Sequence, residues 1–247
     1  MSVNNPFFEI SLLPYQAPRF DAINDSHYRP AFDEAMRLKR ADIDAIIAQR
    51  AAPDFDNTVL ALEKSGAMLS RVSSVFFAMT SAHTNDDLQA LDEQFSTELA
   101  GLANDIWLND TLFARVEAVW QDREALDAES RRLTEEMYQH FVLAGARLNA
   151  DEKAELKALN TEAATLTSQF NQRLLAANKA GGLVVDNVHQ LDGLSAEEVA
   201  AAAHAAAEKG LTDRWLIPLL NTTQQPALAA LSLRETRKKL FSAGWER

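Results

Sequence analysis

Asn149-Ala-Asp-Glu-Lys-Ala-Glu-Leu-Lys-Ala-Leu-Asn-Thr-Glu-Ala-Ala-Thr-Leu-Thr-Ser-Gln-Phe-Asn-Gln-Arg-Leu-Leu-Ala-Ala-Asn-Lys179 decides the fold. Asn149 to Glu152 has the spacing of a capping box, in which two side chains satisfy each other's backbone N–H groups at a helix start. Leu156, Leu159, Ala163, Leu166, Phe170, Leu174 and Ala177 then step 3-4-3-4-4-3, with no Gly or Pro between them. Such steps place every apolar side chain on one face of a helix. A seam this regular predicts a long helix packed in the core against nearly antiparallel neighbours. Caps and short loops cut the seams into domain-sized pieces, which argues against a dimerising coiled coil.

The same grammar extends upstream. Leu133, Met137, Phe141, Ala144 and Leu148 form one stripe. Asn109-Asp110 caps a shorter helix carrying Phe113, Val116 and Trp120. Thr84-Asn85-Asp86 caps another with Leu88, Leu91, Phe95, Leu99, Leu102 and Ile106. Val59, Leu62, Leu69, Val72, Phe76 and Met79 recur at helical spacing after the cap residues Asp54 to Asn57. A first helix is expected from Tyr28 to about Gln49. Asn5 to Arg19, with three prolines, reads as an extended arm.

The pattern changes at Gly181-Gly182. Leu183 to Val185 is short and β-prone, as is Trp215 to Leu220, where Pro218 forbids a central strand. These two runs predict a two-stranded ribbon. Between them Ser195 to Glu198 is a second capping box, opening an Ala-rich helix that stops at Gly210. Asn221-Thr-Thr-Gln-Gln-Pro226 reads as a polar loop, and a last helix begins near Leu233. No terminating signal follows Trp245, so the chain is expected to continue past Arg247. The expected fold is mainly α: a multi-helix bundle of long antiparallel helices with a small β ribbon near 183–220. Residues 1–180 form the arm and bundle, and residues 181–247 the ribbon and its helices.

Composition narrows the function. Gly (8) and Pro (7) are scarce among 247 residues, and 47% of the chain is hydrophobic, enough to bury a sizeable core. The net charge of -12 argues against nucleic acid as a partner. Cysteine is absent, which removes disulfides, thiolate metal sites and cysteine nucleophiles. The N-terminus lacks the basic and apolar regions of a signal peptide, and no stretch approaches a membrane span. The expected location is the cytoplasm, with no membrane partner.

No catalytic residue and no metal ligand emerge from the motifs. Zinc hydrolysis needs converging ligands and a base beside the bound water. The histidines are His27, His83, His140, His189 and His204, and no two lie four apart. Three sit one helical turn from a carboxylate: His83 with Asp87, His140 with Glu136, His204 with Glu208. Each gives only two ligands and reads as a surface pair. Asp186, His189 and Asp192 follow a DxxHxxD spacing in a loop. Nucleophile elbows and phosphate-cradling glycine loops are missing. The most distinctive polar stretch is Asn221, Thr222, Thr223, Gln224 and Gln225, whose uncharged side chains are candidate contacts to a peptide backbone. A turn satisfying its own amides is the competing reading.

Several segments carry a resemblance. Leu13-Pro-Tyr-Gln-Ala-Pro-Arg-Phe20 and His27-Tyr-Arg-Pro-Ala-Phe32 resemble the arm and first helix of the M3 zinc peptidases. Ser74 to Asp86, Leu159 to Arg173 and Trp215 to Pro226 place the likeness with the bacterial peptidyl-dipeptidase branch rather than the oligopeptidase A branch. The resemblance runs from Asn5 to Arg247 and covers about the first third of such an enzyme.

It implies the N-terminal region of a neurolysin-like fold, a helical ellipsoid split by a deep channel. It also implies a cytoplasmic enzyme, with one zinc ion in the full-length parent, that removes C-terminal dipeptides from oligopeptides. The family's HExxH helix, downstream Glu and transition-state residues fall in a part without counterpart here. What transfers is scaffold: Tyr28 to Phe32, the Asp151–Lys179 helix and the strand leading to Asn221. On this reading the chain alone is inactive, holds no cofactor, and has the missing catalytic part as its partner. The alternative is a stand-alone, non-catalytic helical module that binds peptide or protein.

Overall fold

The computed structural model describes residues 5–246, so Met1 to Asn4 and Arg247, the two ends of the expected organisation, lie outside the described residues. Contacts divide the chain into two units, Met1–Ser168 and Gln169–Arg247.

In the first unit, short 3-10 turns at Pro6–Phe8 and Pro14–Gln16 punctuate the arm. Phe7 is buried, whereas Leu12 and Tyr15 are fully exposed. The helices follow as α1 (Tyr28–Ile47), a π-type turn (Phe55–Leu60), α2 (Ala61–Lys64), α3 (Ala67–Ala82), α4 (Asp86–Trp107), α5 (Asp110–Gln121), α6 (Ala128–Leu143) and the first part of α7 (Ala150–Ala180), whose residues from Gln169 onward belong to the second unit. Asn85 and Asn109 accept from the N–H groups of Leu88 and Leu112, so both expected caps are in place. Asn149 and Glu152 exchange backbone bonds as the capping box required.

The core is aromatic. Phe76 of α3 meets Tyr28 and Phe32 of α1 and Phe95 of α4 edge-on, at ring separations of 5.0 to 5.4 Å. Arg29 clamps the rim of this cluster. It forks onto both carboxylate oxygens of Glu98 at 2.8 Å and lies 4.8 Å over the Phe95 ring.

Three expectations need correction in this unit. The run from Val59 to Met79 is not one helix, because Gly66 adopts φ +75 and splits it into α2 and α3. The Leu133-to-Leu148 stripe ends early, since α6 stops at Leu143 and Gly145 turns the chain at φ +101. The third correction concerns the deciding helix itself. The α7 seam within this unit does not enter the core: Leu159 is 54% and Leu166 56% exposed.

α7 instead buries a polar face. Lys153 pairs with Asp110 at the start of α5, and Lys157 reaches Asp105 at 3.4 Å. Asn160 donates to Asn104 at 2.7 Å, Thr165 meets Thr97 at 3.2 Å, and Ser168 donates to Asp92 at 2.9 Å. Rising numbers on α7 meet falling numbers on α4, so the two run antiparallel. Periodicity identified the apolar face correctly, but a second, hydrogen-bonding face won the attachment.

In the second unit, β1 (Gly182–Val185) pairs antiparallel with β2 (Trp215–Pro218) in the register Leu183↔Ile217 and Val185↔Trp215. The expected ribbon is therefore present. α8 (Ala196–Glu208) starts at the Ser195–Glu198 capping box. α9 (Asn221–Ala230) and α10 (Arg234–Trp245) complete the unit around Leu191, Ile217, Leu219, Leu231 and Leu240. The mainly helical fold with one small ribbon is as the sequence predicts.

Candidate functional site

Asn221 to Gln225 form the first half of α9, not the loop expected. Leu220 provides the turn: its carbonyl accepts from Thr223 at 2.9 Å and from Gln224 at 2.7 Å. Asn and Thr favour helix starts as readily as loops, and the sequence alone does not separate the two. Pro226 sits inside the helix, without the N–H that would otherwise bond toward the exposed Thr222.

The five side chains part company there. Asn221, Thr222 and Gln225 are exposed, and Thr223 and Gln224 are half-buried. Gln224 donates through Nε2 to the Leu240 carbonyl at 3.2 Å. Its amide also lies where a Cβ on Gly244 would come within 2.0 Å, so a side chain there would displace the Gln224 amide. Gln224 thus fastens α9 to α10, and the polar row that remains outward is Asn221, Thr222 and Gln225.

The histidines stay apart. His27 accepts from the Asn24 N–H at 3.2 Å as part of a helix start. His83 follows the last turn of α3. His140 packs 4.1 Å from the Trp107 ring, and its expected neighbour Glu136 pairs with Arg132 instead. His189 lies 3.8 Å from Asp192, and His204 lies 3.8 Å from Glu208, all four exposed. Among the described residues no three His, Asp or Glu side chains converge as metal ligands. The donor set among the described residues does not fit the zinc ion that the resemblance implies for the full-length parent.

A cavity of about 310 Å³ lies under the arm, lined in part by Phe7, Ile10, Arg19, Ile23 and Arg71. Arg71 donates through Nη2 to the Phe7 carbonyl at 3.1 Å, which pins the arm over α3. Arg115 does the same for the loop after α1. Its guanidinium reaches the carbonyl of Gln49 at 3.1 Å and the side chain of Asn57 at 2.9 Å. The half-buried Arg71 and the buried Arg115 hold backbone in place. No sequence signal singled out either, because an isolated Arg in a helix reads as surface. Among the described residues no helix is long and apolar enough to cross a membrane.

Comparison with known proteins places this geometry. The chain is 67% identical over 245 residues to the dipeptidyl carboxypeptidase of Salmonella typhimurium, covering 98% of the chain and 36% of that protein. It is also 67% identical over 249 residues to the Escherichia coli dipeptidyl carboxypeptidase, 37% of whose length is covered.

Over its whole length the chain is similar to the dipeptidyl carboxypeptidases.

The oligopeptidase A of E. coli is only 22% identical over 234 residues. The expected branch is therefore the right one. The chain spans little more than a third of the dipeptidyl carboxypeptidases it matches and corresponds to an N-terminal part of them. No protein-family model matches the chain.

Proposed function

We propose that this chain is the channel-wall region of a zinc peptidyl-dipeptidase that removes C-terminal dipeptides from oligopeptides in the cytoplasm. The observation that carries the reading is 67% identity along the entire chain to dipeptidyl carboxypeptidases of much greater length. On this reading zinc and its ligands belong to the part of the parent outside this sequence. Residues 1–180 supply the arm and wall, and residues 181–247 the ribbon and helices that lead toward the catalytic part. The exposed row Asn221, Thr222 and Gln225 is assigned to the peptide backbone. Thr223 stands behind it, and Gln224 positions the row through Leu240.

Metal analysis and a peptidase assay test this directly. The purified 247-residue chain should contain no stoichiometric zinc and cleave no oligopeptide. The same chain extended by the remainder of the E. coli relative should gain one zinc and release C-terminal dipeptides. Stoichiometric zinc in the short chain, or an extended chain without activity, overturns the proposal.

A further inference from the structure

We propose that the cavity under the arm is a binding site for a small carboxylate with an apolar tail. The cavity lies wholly within the first unit. Phe7, Ile10, Ile23 and Val75 give it an apolar wall, and Arg71 of α3 supplies a cation. That cation is short of acceptors. Arg29 forks onto Glu98 and also reaches Asp33. The more deeply buried Arg115 donates to Gln49, Ala51, Asn57 and Thr58. The half-buried Arg71 makes one hydrogen bond among the described residues, to the Phe7 carbonyl, and its Nε is buried with no partner. No carboxylate of the described residues pairs with it, although the chain holds 36 acidic side chains against 24 basic ones. A guanidinium drawn out of water with donors unspent gains most from a carboxylate, which accepts charge-assisted bonds.

The neighbouring groups set the class of ligand. Arg19 also lines the cavity, but its guanidinium is already paired with Asp21 at 2.8 Å. The unmatched charge is therefore that of Arg71, which suits one carboxylate rather than a polyanion. The wall selects an apolar tail, because a polar one would lose its hydration there. Glu9 lines the cavity too and turns away a second negative charge. The arm carries backbone strain at the same place. Tyr15 and Gln16 adopt φ 58 and 55, a left-handed conformation that non-glycine residues rarely take, and Gln16 is part of the lining. Strained turns of this kind cluster at ligand clamps. At about 310 Å³ the space stands at the small end of ligand pockets, the scale of a single amino acid.

Calorimetry and methyl NMR on the 247-residue chain test the proposal with isocaproate, which is leucine without its amino group. Isocaproate should bind saturably and shift the methyl resonances of Ile10, Ile23 and Val75. Its neutral amide should bind about tenfold more weakly, the loss of a charge-assisted bond. Inorganic phosphate should leave these methyls unmoved. Arg71→Met should abolish binding, but it also frees Phe7. Ala22→Leu keeps Arg71 and its contact to the arm while filling the cavity, and should abolish binding as well. L-Leucine separates two sources of the ligand: tighter binding than isocaproate assigns the site to amino acids, and weaker binding assigns it to simple acids. Equal binding of the amide, equal shifts with phosphate, unmoved methyls with isocaproate, or full binding by Ala22→Leu overturns the proposal. Neither zinc nor cleavage enters the test, so its outcome is independent of the peptidase reading.

Discussion

Phe32 stacks on Phe95 with ring centroids 3.9 Å apart and planes 20° from parallel, tying α1 to α4. Phe76 meets both rings edge-on and is fully buried. Its removal opens a cavity between three helices that cannot all move inward. Phe76→Ala should therefore cost about 3–5 kcal/mol, read by urea unfolding. Phe241→Ala, on a side chain 53% exposed, is the matched control and should be close to neutral.

Gly193 adopts φ +102, and a Cβ there would lie 2.1 Å from the Ala230 carbonyl oxygen and 2.8 Å from the Ser232 nitrogen. That strand of chain is fixed, since Ser232 donates to the Asp192 carbonyl at 2.7 Å. Gly193→Ala adds backbone strain of about 1–3 kcal/mol to the clash. Thermal unfolding should show the loss, while Gly210→Ala, which meets no neighbouring atom, costs less.

Burial pushes the Lys39 ammonium below its usual range, against the weaker opposing pull of Asp42 and Glu63. Its Nζ donates to the Ser65 hydroxyl at 2.6 Å. Because the folded value is depressed, the unfolded chain holds the proton more tightly between the two values. Folding therefore carries the full charging penalty below the folded value and sheds it as pH rises toward the free-lysine value of 10.5. Burial raises the Tyr28 phenol, which acts with the opposite sign above its free value of 10.0. Comparing Lys39→Met with the parent separates them. The advantage of the variant should shrink as pH rises through the alkaline range, as followed by denaturant titration.

Gln224→Ala removes the bond to the Leu240 carbonyl and should cost about 1 kcal/mol of stability. Asn221→Ala and Gln225→Ala touch exposed side chains and should leave stability unchanged. In the extended chain those two should raise KM for oligopeptides. If Gln224→Ala alone affects cleavage, the outward row is not the contact.

What the sequence disclosed was local. Asn85, Asn109, Asn149 and Ser195 were legible because a cap needs only a side chain and an N–H two or three residues away. The ribbon was legible because β-prone runs flanked by Gly and Pro have few alternatives. Gly66 escaped notice because apolar spacing continues on both sides of it. Asn221 to Pro226 misled because the same residues begin helices and fill loops. The orientation of α7 was hidden for a deeper reason. A period says which residues share a face, but what that face meets is decided by the neighbour, here the polar row Asp92, Thr97, Asn104 and Asp105 of α4. The arm cavity and the Arg71 and Arg115 anchors were likewise invisible, since both act on backbone carbonyls far away in sequence.

The rungs between α4 and α7 also set an order of events. Water competes for the exposed Lys157–Asp105 rung, as it cannot for the rings around Phe76, so that part of the attachment opens at less cost than the core. The aromatic centre can close while α7 still breathes on and off its flank. Closing the aromatic core and seating α7 are then two separate moments in the folding of the chain.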